Sequence, residues 1–187
     1  MILAPSGGQQ PAFGSLSLAP GCGRRYSPGW QQAQLAVGRV ASVGDELANA
    51  ASEAVVFMVA VFDEGSPPED VLRAALSDDF AYEDRRRGWT FPDADAEYYP
   101  KVLLSIWQTG AAGQPRWDHE TLAVRGDRFA AIVLKIDYGN GMVTESIHVF
   151  GFDATLSLLQ RDVDFDLDDV DGAVAELDRL YRQSDKS

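Results

Sequence analysis

The sequence contains few of the residues on which metal and redox sites depend. Its 187 residues include one cysteine and two histidines. Cys22 has no second cysteine with which to form an internal disulfide, and no CxxC pair or Cys/His cluster has the spacing of a zinc site. His119 and His148 are too few for most metal sites, although carboxylates could complete one. We therefore expect no metal and no cofactor.

Long apolar runs and positive charge are also scarce. The longest apolar run, AVVFMVAVF at 54–62, has about half the length that spans a bilayer. The N-terminus has no basic region followed by an apolar stretch, as a secretory signal would. Lysine and arginine total 16 against 29 acidic residues, a net charge of −13, which repels nucleic acid and anionic lipid. These features predict no nucleic-acid partner, no membrane association and a cytoplasmic location.

Composition divides the chain near residue 43. Residues 1–43 are rich in Gly, Pro, Ser and Gln and show neither a helical nor a strand period, which is typical of a disordered or loosely attached tail. A partner-binding tail is the alternative. Residues 44–187 carry periodic apolar patterns, and an apolar fraction of 45% is enough to build a core. They predict one α+β domain.

The apolar spacing predicts three helices, a short strand among them, a run of strands and a last helix. The predicted helices are 45–64, 66–78, 93–108 and 167–183, and the short strand is 80–84. The other strands are 117–124, 129–138, 142–152 and 155–165, joined by turns at Gly126-Asp127, Asn140-Gly141 and Asp153-Ala154. This order predicts N-terminal helices packed on a curved, cone-shaped antiparallel sheet of four or five strands around a small-molecule pocket, with a closing C-terminal helix.

Two-residue turns predict which residues face each other across the sheet. About Gly126-Asp127, Arg116 falls opposite Asp137 and Asp118 opposite Lys135, so that face is expected to be wet. About Asn140-Gly141, Leu134 falls opposite Ile147. The other face is then buried, and it carries the ligand-binding candidates Trp117, Thr121, Ile136, Tyr138 and Ile147 together with His119 and Glu145.

His119 and Glu145 are candidate catalytic residues because an imidazole and a carboxylate against an apolar wall need an explanation. Extending the ladder through Asp153-Ala154 places Asp162 opposite Glu145, and two facing carboxylates raise the pKa of one of them. Structural alternatives stay open: a hydrogen-bonded core histidine, a carboxylate that reaches water, and an acidic run that charges a helix N-terminus. His148 falls on the wet face, opposite Val133, and is the weakest candidate.

Two stretches of sequence resemble a known group of proteins. DFAYEDRRRGW at 79–89 is similar to a strand that ends in Asp-His-Arg and a glycine, and 165–178 is similar to a segment in which the last strand leads into an acidic helix. Both are found in the SnoaL-like branch of the nuclear transport factor 2-like fold, which includes polyketide cyclases, and the resemblance covers residues 44–183. It places Asp84 and Arg86 at the Asp and Arg positions. Arg85 replaces the histidine, which weakens the case for acid–base chemistry there and leaves an ion pair at a strand end as the alternative.

The resemblance implies a pocket protein, for which three functions remain open. The first is a cofactor-independent cyclase or isomerase acting on a mostly apolar carbonyl compound. A carboxylate such as Glu145 or Asp84 would move a proton, and Tyr82 or His119 would stabilise the oxyanion. Asp162 and Arg86 complete the ligand-binding candidates.

The second function is a non-catalytic ligand-binding or regulatory module, since the same kind of pocket can serve binding alone. The third is a dimerisation scaffold, which would use Phe129, Phe150 and Phe152 as an apolar patch on the outer face of the sheet. A homodimer through that face is compatible with all three functions.

Overall fold

A computed structural model describes residues 47–88, 91–109 and 115–185. The predicted tail, Cys22 and Trp89 lie outside the described residues. In chain order the elements are α1 (Ala50–Glu64), α2 (Glu69–Ala74), β1 (Leu76–Asp84), β2 (Ala94–Asp95), α3 (Tyr99–Thr109), β3 (Arg116–Arg125), β4 (Phe129–Asp137), β5 (Val143–Phe152), β6 (Leu159–Phe165) and α4 (Val170–Ser184). Within these ranges no helix has both the length and the apolar character to cross a bilayer.

The strands form one six-stranded sheet in the order β2-β1-β6-β5-β4-β3. The α+β class and the order of elements are confirmed, but the strand count is higher than predicted. β2 has two residues, too few to produce a periodic signal. β1 pairs with β6 in parallel, so the sheet is not wholly antiparallel. A hairpin cannot join parallel neighbours, and here β2, α3 and the β3–β5 meander lie between these two strands in sequence.

The sheet has a core on each of its faces. The inner face packs against α1 and α3, and its buried residues include Val55, Val59, Tyr99, Ile132 and Leu134. The outer face is covered by α4 over part of its area, and this second core includes Val133, Ile147, Val149, Ala173 and Leu177. Because apolar residues line both faces, burial alone does not tell which way a strand residue points.

The two predicted pairs of β3 with β4 are confirmed, although near the turn the pairing differs from the prediction by one residue, with Arg125 paired to Phe129. Arg116 pairs with Asp137 and Asp118 pairs with Lys135. These residues lie on the part of the outer face beyond α4. Farther along, the register shifts between Thr121 and Ala123, which is a β-bulge of the kind that curved sheets use.

The predicted register of β4 with β5 is wrong by one residue. The loop holds residues 139–141 and is closed by the Tyr138 N–H, which donates to the Met142 carbonyl. The predicted two-residue turn would have one residue fewer in this loop. Gly139 and Gly141 have φ of +72° and +87°, a region that glycine adopts without strain. Leu134 therefore pairs with Ser146 and not with Ile147.

A slip of one residue exchanges the two faces of a strand. Glu145 and Ile147 consequently lie on the outer face, and His148 lies on the inner face, where it pairs with Ile132. The predictions that put Glu145 and Ile147 inside and His148 outside are wrong.

The connection between β5 and β6 is longer than the predicted Asp153-Ala154 turn and spans 153–158. The Asp153 carboxylate accepts hydrogen bonds from the Ser157 and Leu158 N–H groups and from the Thr155 hydroxyl, which stabilises a loop of this length. Asp162 therefore pairs with Phe150 and not with Glu145, contrary to the prediction.

The three phenylalanines of the predicted apolar patch do not form one. Phe129 is buried beneath α4, where its ring meets that of Tyr181. Phe150 and Phe152 belong to the core of the inner face. None of the three is more than 7% exposed. A homodimer stays a prediction, but these side chains do not offer a surface for it.

The start of α1 is tied to the β3–β4 hairpin through Asn49. Its side-chain oxygen accepts from the Ser52 N–H, and its amide nitrogen donates to the Gly126 and Phe129 carbonyls at 2.7 and 3.0 Å. Asn49→Ala removes both functions and should lower the free energy of unfolding by about 2–3 kcal/mol. Asn49→Ser keeps an N-cap and should lose about half as much. Urea unfolding curves would measure both variants, and equal losses would contradict a role beyond capping.

Candidate functional site

A small cavity lies between the inner face of the sheet and helices α1 and α3. Its volume is about 40 Å³, which is room for only a few water molecules. Most of its wall is apolar, but a polar cluster occupies one part. This polar cluster consists of Tyr82, Asp84, Arg86, Tyr99, Ser146, His148, Asp162 and Asp164.

Strand alternation brings the polar cluster together. On β5, Ser146 and His148 point inward and Ile147 points outward. On β6, Asp162 and Asp164 point inward. Because β5 and β6 are neighbours, with His148 paired to Asp164 and Phe150 to Asp162, one imidazole comes to lie between two carboxylates.

His148 is the centre of the polar cluster. Its Nδ1 lies 3.0 Å from Asp162 Oδ1 and 2.6 Å from Asp164 Oδ1, so Nδ1 must carry a hydrogen. Its Nε2 lies 3.0 Å from the Ser146 hydroxyl. One N–H cannot point at two oxygens equally, and Asp164 Oδ1 accepts no aligned hydrogen bond from the described residues. Nδ1 therefore interacts with Asp164 through charge and with Asp162 through an aligned hydrogen bond.

Two tyrosines hold the carboxylates in place. The Tyr82 hydroxyl donates to Asp164 Oδ2 at 2.9 Å. The Tyr99 hydroxyl donates to Asp162 Oδ2. Burial, and then the negative charge of the adjacent aspartates, raise the pKa of both tyrosines above its ordinary value. Both therefore stay protonated and act as donors at neutral pH.

Asp84 and Arg86 form a buried ion pair beside this group. Arg86 Nε donates to Asp84 Oδ1 at 2.8 Å, and the Phe91 N–H donates to Asp84 Oδ2 at 2.7 Å. The Arg86 guanidinium also lies 3.7 Å from Asp164. Burial by itself would raise the pKa of Asp84, but the Arg86 guanidinium and the Phe91 N–H hold it below its usual range. The ion pair at the strand end is thus a buried one and not the surface pair of the alternative hypothesis.

The two carboxylates keep His148 protonated. Burial would lower the pKa of this imidazole, but Asp164 and Asp162 raise it to about 10. Burial raises the pKa of Asp164 as well, and the charge of Asp162 adds to this, whereas His148 and Arg86 act in the opposite direction. At neutral pH the polar cluster therefore contains an imidazolium, a guanidinium and three carboxyl groups, one of which binds a proton more readily than an ordinary aspartate does.

His148, Asp162 and Asp164 are also the group that could hold a metal ion, because their ligand atoms lie within 4.8 Å of one another. However, Nδ1 is already at hydrogen-bond distance from both carboxylates, and a metal would have to displace its hydrogen. Arg86 beside Asp164 adds a positive charge that opposes a cation. The absence of a metal stays a prediction.

The structure brings some of the sequence-predicted site residues together and separates others. Those that line the cavity are Tyr82, Arg86, Trp117, Ile136, Tyr138 and Asp162, and Asp84 lies directly behind Arg86. His119 and Thr121 lie on β3, half-buried and outside the cavity lining. Glu145 forms an ion pair with Lys135 at 3.2 Å on the outer face, and Ile147 packs beneath α4.

Ser146, Asp164 and Tyr99 were not predicted as site residues, and His148 was predicted on the wrong face of the sheet. One sequence signal could have identified Ser146, His148 and Asp164. Polar residues alternate with apolar ones in Ser146-Ile147-His148-Val149 and again in Asp162-Val163-Asp164-Phe165, and such alternation indicates one polar face on each strand. Nothing in the local sequence of Tyr99 marks its role.

Comparisons with known proteins concern the fold. A scan against protein-family models and a search of curated proteins gave no match. Among solved structures, the chain is similar to an LEH-like epoxide hydrolase of M. tuberculosis, with 17% identity, a TM-score of 0.43, and coverage of 74% of this chain and 97% of that one. It is also similar to a ketosteroid isomerase-like protein from Erwinia carotovora atroseptica, with 17% identity, a TM-score of 0.42, and coverage of 62% and 92%.

At these identities and TM-scores the similarities carry no argument about activity. The described residues form helices packed on a curved open sheet with a closing C-terminal helix, which is the architecture that the sequence predicted. A pocket lies on the inner face of the sheet.

The protonation state of His148 gives the first test of the site. Its Cε1–H signal should keep the chemical shift of an imidazolium from pH 6 to pH 8.5 and change only as the pH approaches about 10. Two-dimensional ¹H–¹³C NMR would follow it, and because the chain has two histidines, a His119→Gln variant would assign the signal. A midpoint near 6.5 would contradict the proposed charge state.

The raised pKa of His148 also makes the free energy of unfolding depend on pH. A histidine whose pKa is raised in the folded protein contributes stability that is fully present below the unfolded value of about 6.5. That contribution is lost as the pH rises through the folded value of about 10. In this window the imidazole should lower the free energy of unfolding by about 1.4 kcal/mol per pH unit.

Proposed function

We propose that the protein catalyses cofactor-independent acid–base chemistry on a carbonyl compound, of the cyclase or isomerase type. The observation that supports this most is the orientation of His148. Its Nδ1 faces two buried carboxylates, its Nε2 faces Ser146, and His148 and Ser146 both line the cavity. An imidazolium fixed in this way offers its Nε2–H to an oxygen in the cavity, while the two carboxylates lie at its other nitrogen.

In the proposed reaction, Asp164 is the base. Because the cavity has a volume of about 40 Å³, side chains of its wall must move to admit the carbonyl end of a substrate. Asp164 Oδ1 then removes a proton from the carbon next to the carbonyl. The C–H electron pair forms the enolate double bond, and the carbonyl oxygen accepts a hydrogen bond or the proton from His148 Nε2, directly or through the Ser146 hydroxyl. Return of the proton from Asp164 to another carbon gives an isomer, and any proton taken from His148 returns to Nε2 as the carbonyl forms again. Alternatively, the enolate carbon attacks a second carbonyl and closes a ring, and the resulting alkoxide takes the proton from Asp164.

Burial suits Asp164 to this role. A carboxyl group with a raised pKa is a stronger base than a surface aspartate, and base efficiency is best when the pKa approaches the working pH. The pKa of Asp164 is raised by burial and by Asp162. The hydrogen bond from Tyr82 holds the carboxylate in position, which limits its freedom to turn away from the substrate.

One observation favours the second candidate function, non-catalytic ligand binding. Most polar atoms of the polar cluster already have partners within it, and such a saturated network can serve to fix a pocket rather than to move protons. A binding module would keep its affinity for ligand when carboxylates are changed to amides, whereas an enzyme would lose turnover.

Exchange of deuterium into a ketone separates the two functions. In D₂O the wild-type protein should accelerate loss of the C1–H signal of 2-tetralone, observed by ¹H NMR. Asp164→Asn should reduce this rate by roughly a hundredfold or more, because it removes the base. His148→Gln should reduce it by at least roughly tenfold, because it removes the charged donor.

Glu145→Gln is the matched control, since it makes the same change on the outer face of the sheet and should leave the rate unchanged. Thermal unfolding of each variant would show that it is folded. If Glu145→Gln abolishes exchange while folded Asp164→Asn retains it, Asp164 is not the base. If no exchange occurs but 2-tetralone binds, the ligand-binding function is the correct one.

A further inference from the structure

A second cavity opens on the surface between α1 and α2. It is a cleft of about 300 Å³ that is also bounded by the connection from β5 to β6. Phe57 and Val71 line it and are 72% and 53% exposed, and apart from Ser157 and Tyr99 its described wall is apolar. Exposed apolar surface of this extent usually marks a place where another molecule or segment binds. The proposed chemistry does not use the cleft.

The cleft is separated from the polar cluster. Its inner end is closed by side chains that also line the first cavity, namely Met58, Phe62, Tyr99 and Leu103. A group that binds in the cleft therefore does not reach His148. What binds there is determined by the apolar wall and by the charge at the rim.

The rim of the cleft carries exposed acidic side chains. Glu53 lies on α1, one helical turn before Phe57, and Glu69 and Asp70 lie in the first turn of α2. Arg73, the basic residue of α2, is held in ion pairs with two other acidic residues. Such a rim repels an anionic ligand, and it disfavours a second copy of this chain, which would bring the same acids against these. It favours a partner that combines apolar side chains with positive charge.

The predicted tail of this chain has that combination. It contains three arginines and no acidic residue, so all 29 acidic residues lie in the rest of the chain. Three bulky apolar side chains occur within six residues, at Phe13, Leu16 and Leu18, in a stretch without charged side chains. Arg24 and Arg25 follow. An apolar group followed by two cations is complementary to an apolar cleft with an acidic rim.

The chain is long enough for this segment to reach the cleft. Between Leu18 and Leu47, where the described residues begin, the backbone could span up to roughly 100 Å. Phe62, the last residue of α1 that lines the cleft, lies about 18 Å along the helix from Ala50. Because segment and cleft belong to one chain, their effective concentration is on the order of millimolar. Contacts too weak to hold a free peptide would therefore suffice.

We propose that Phe13, Leu16 and Leu18 bind in the cleft of their own chain, with Arg24 and Arg25 at its acidic rim. Removal of these apolar side chains and of the exposed cleft wall from water drives the association. The cleft is then an internal docking site for the tail, and this binding does not depend on the proposed acid–base chemistry.

The one cysteine of the chain, Cys22, provides the probe, because a nitroxide spin label on it broadens the NMR signals of nearby amides. The whole chain with this label should show broadened ¹H–¹⁵N signals for Phe57 and Val71, and the broadening should be lost when ascorbate reduces the label. The signal of Gly141 should stay sharp. It lies beyond the other end of β5, about 30 Å along the strand from the cleft residue Phe152.

A matched pair of tail variants tests which segment binds. Leu16→Asp/Leu18→Asp places two charges in the proposed segment and should abolish the broadening at the cleft, because a charged group is costly to bury there. Leu35→Asp/Val37→Asp makes the same kind of change at the same spacing elsewhere in the tail and should leave the broadening as it is in the wild-type chain.

A second pair tests the cleft itself. Ala54→Leu adds bulk inside the cleft and should also abolish the broadening, whereas Ala60→Leu makes the same change at an exposed position of α1 outside the cleft lining and should preserve it. Thermal unfolding would show whether both variants are folded. If Ala54→Leu is not, the tail variants decide, since they leave the residues of the cleft unchanged.

Two results in the labelled chain would overturn the proposal. One is sharp signals at the cleft in the wild-type protein, and the other is broadening that is equal in Leu16→Asp/Leu18→Asp and in the wild type. A mixture of ¹⁵N-labelled chains without the spin label and spin-labelled chains without ¹⁵N tests for exchange between copies. Broadening at the cleft in that mixture would show that the tail of a second copy binds there, which contradicts binding within one chain.

Discussion

The contact of one imidazole with two carboxylates is the interaction on which the inner half of this protein depends. A buried carboxylate without a partner is too costly to keep, and so is a buried imidazolium. Asp162 and Asp164 are tolerated because His148 lies between them, and His148 is charged because they are there. Tyr99 on α3 donates a further hydrogen bond to Asp162, and Tyr82 on β1 donates one to Asp164. The network therefore connects the helix layer, two neighbouring strands and the parallel strand β1, and removal of any one charge would leave the others uncompensated.

The fold was largely predictable because its signals are local. Apolar spacing located the helices and the long strands. Arg116 pairs with Asp137 as predicted, but the turn holds residues 126–128, and the bulge between Thr121 and Ala123 restores the register that a two-residue turn would have given. The second hairpin was not predictable in the same way. Asn140-Gly141 indicates a two-residue turn, but Gly139 lets one more residue enter the loop at positive φ. The two-residue and the three-residue turn are both allowed here. Because the flanking residue is glycine, the local backbone free energies of the two turns are nearly equal.

The site was less predictable because both faces of the sheet are buried. Ile147 and Val149 look like residues of an inner face, and they are indeed buried, but beneath α4 on the outer face. The helix that covers them is remote in sequence, so no local pattern reports it. The motif at 79–89 located site residues better than the predicted strand register did. Tyr82, Asp84 and Arg86, which all lie in that stretch, come together in the structure. Their partners on β5 and β6 follow only from the correct pairing of strands, which depends on the loop.

The hydrogen bond between His148 and Ser146 determines how the site would distinguish a substrate from a transition state. A neutral ketone oxygen must compete with the Ser146 hydroxyl for the Nε2–H, and the two are acceptors of similar strength. An enolate oxygen is a far stronger acceptor, and in a site with little water its attraction to an imidazolium is large. The Nε2–H thus turns from the Ser146 hydroxyl to the substrate oxygen only as negative charge develops on that oxygen. A donor that is already satisfied in the resting state adds little to ground-state binding and lowers the barrier instead, which is the property that separates catalysis from binding.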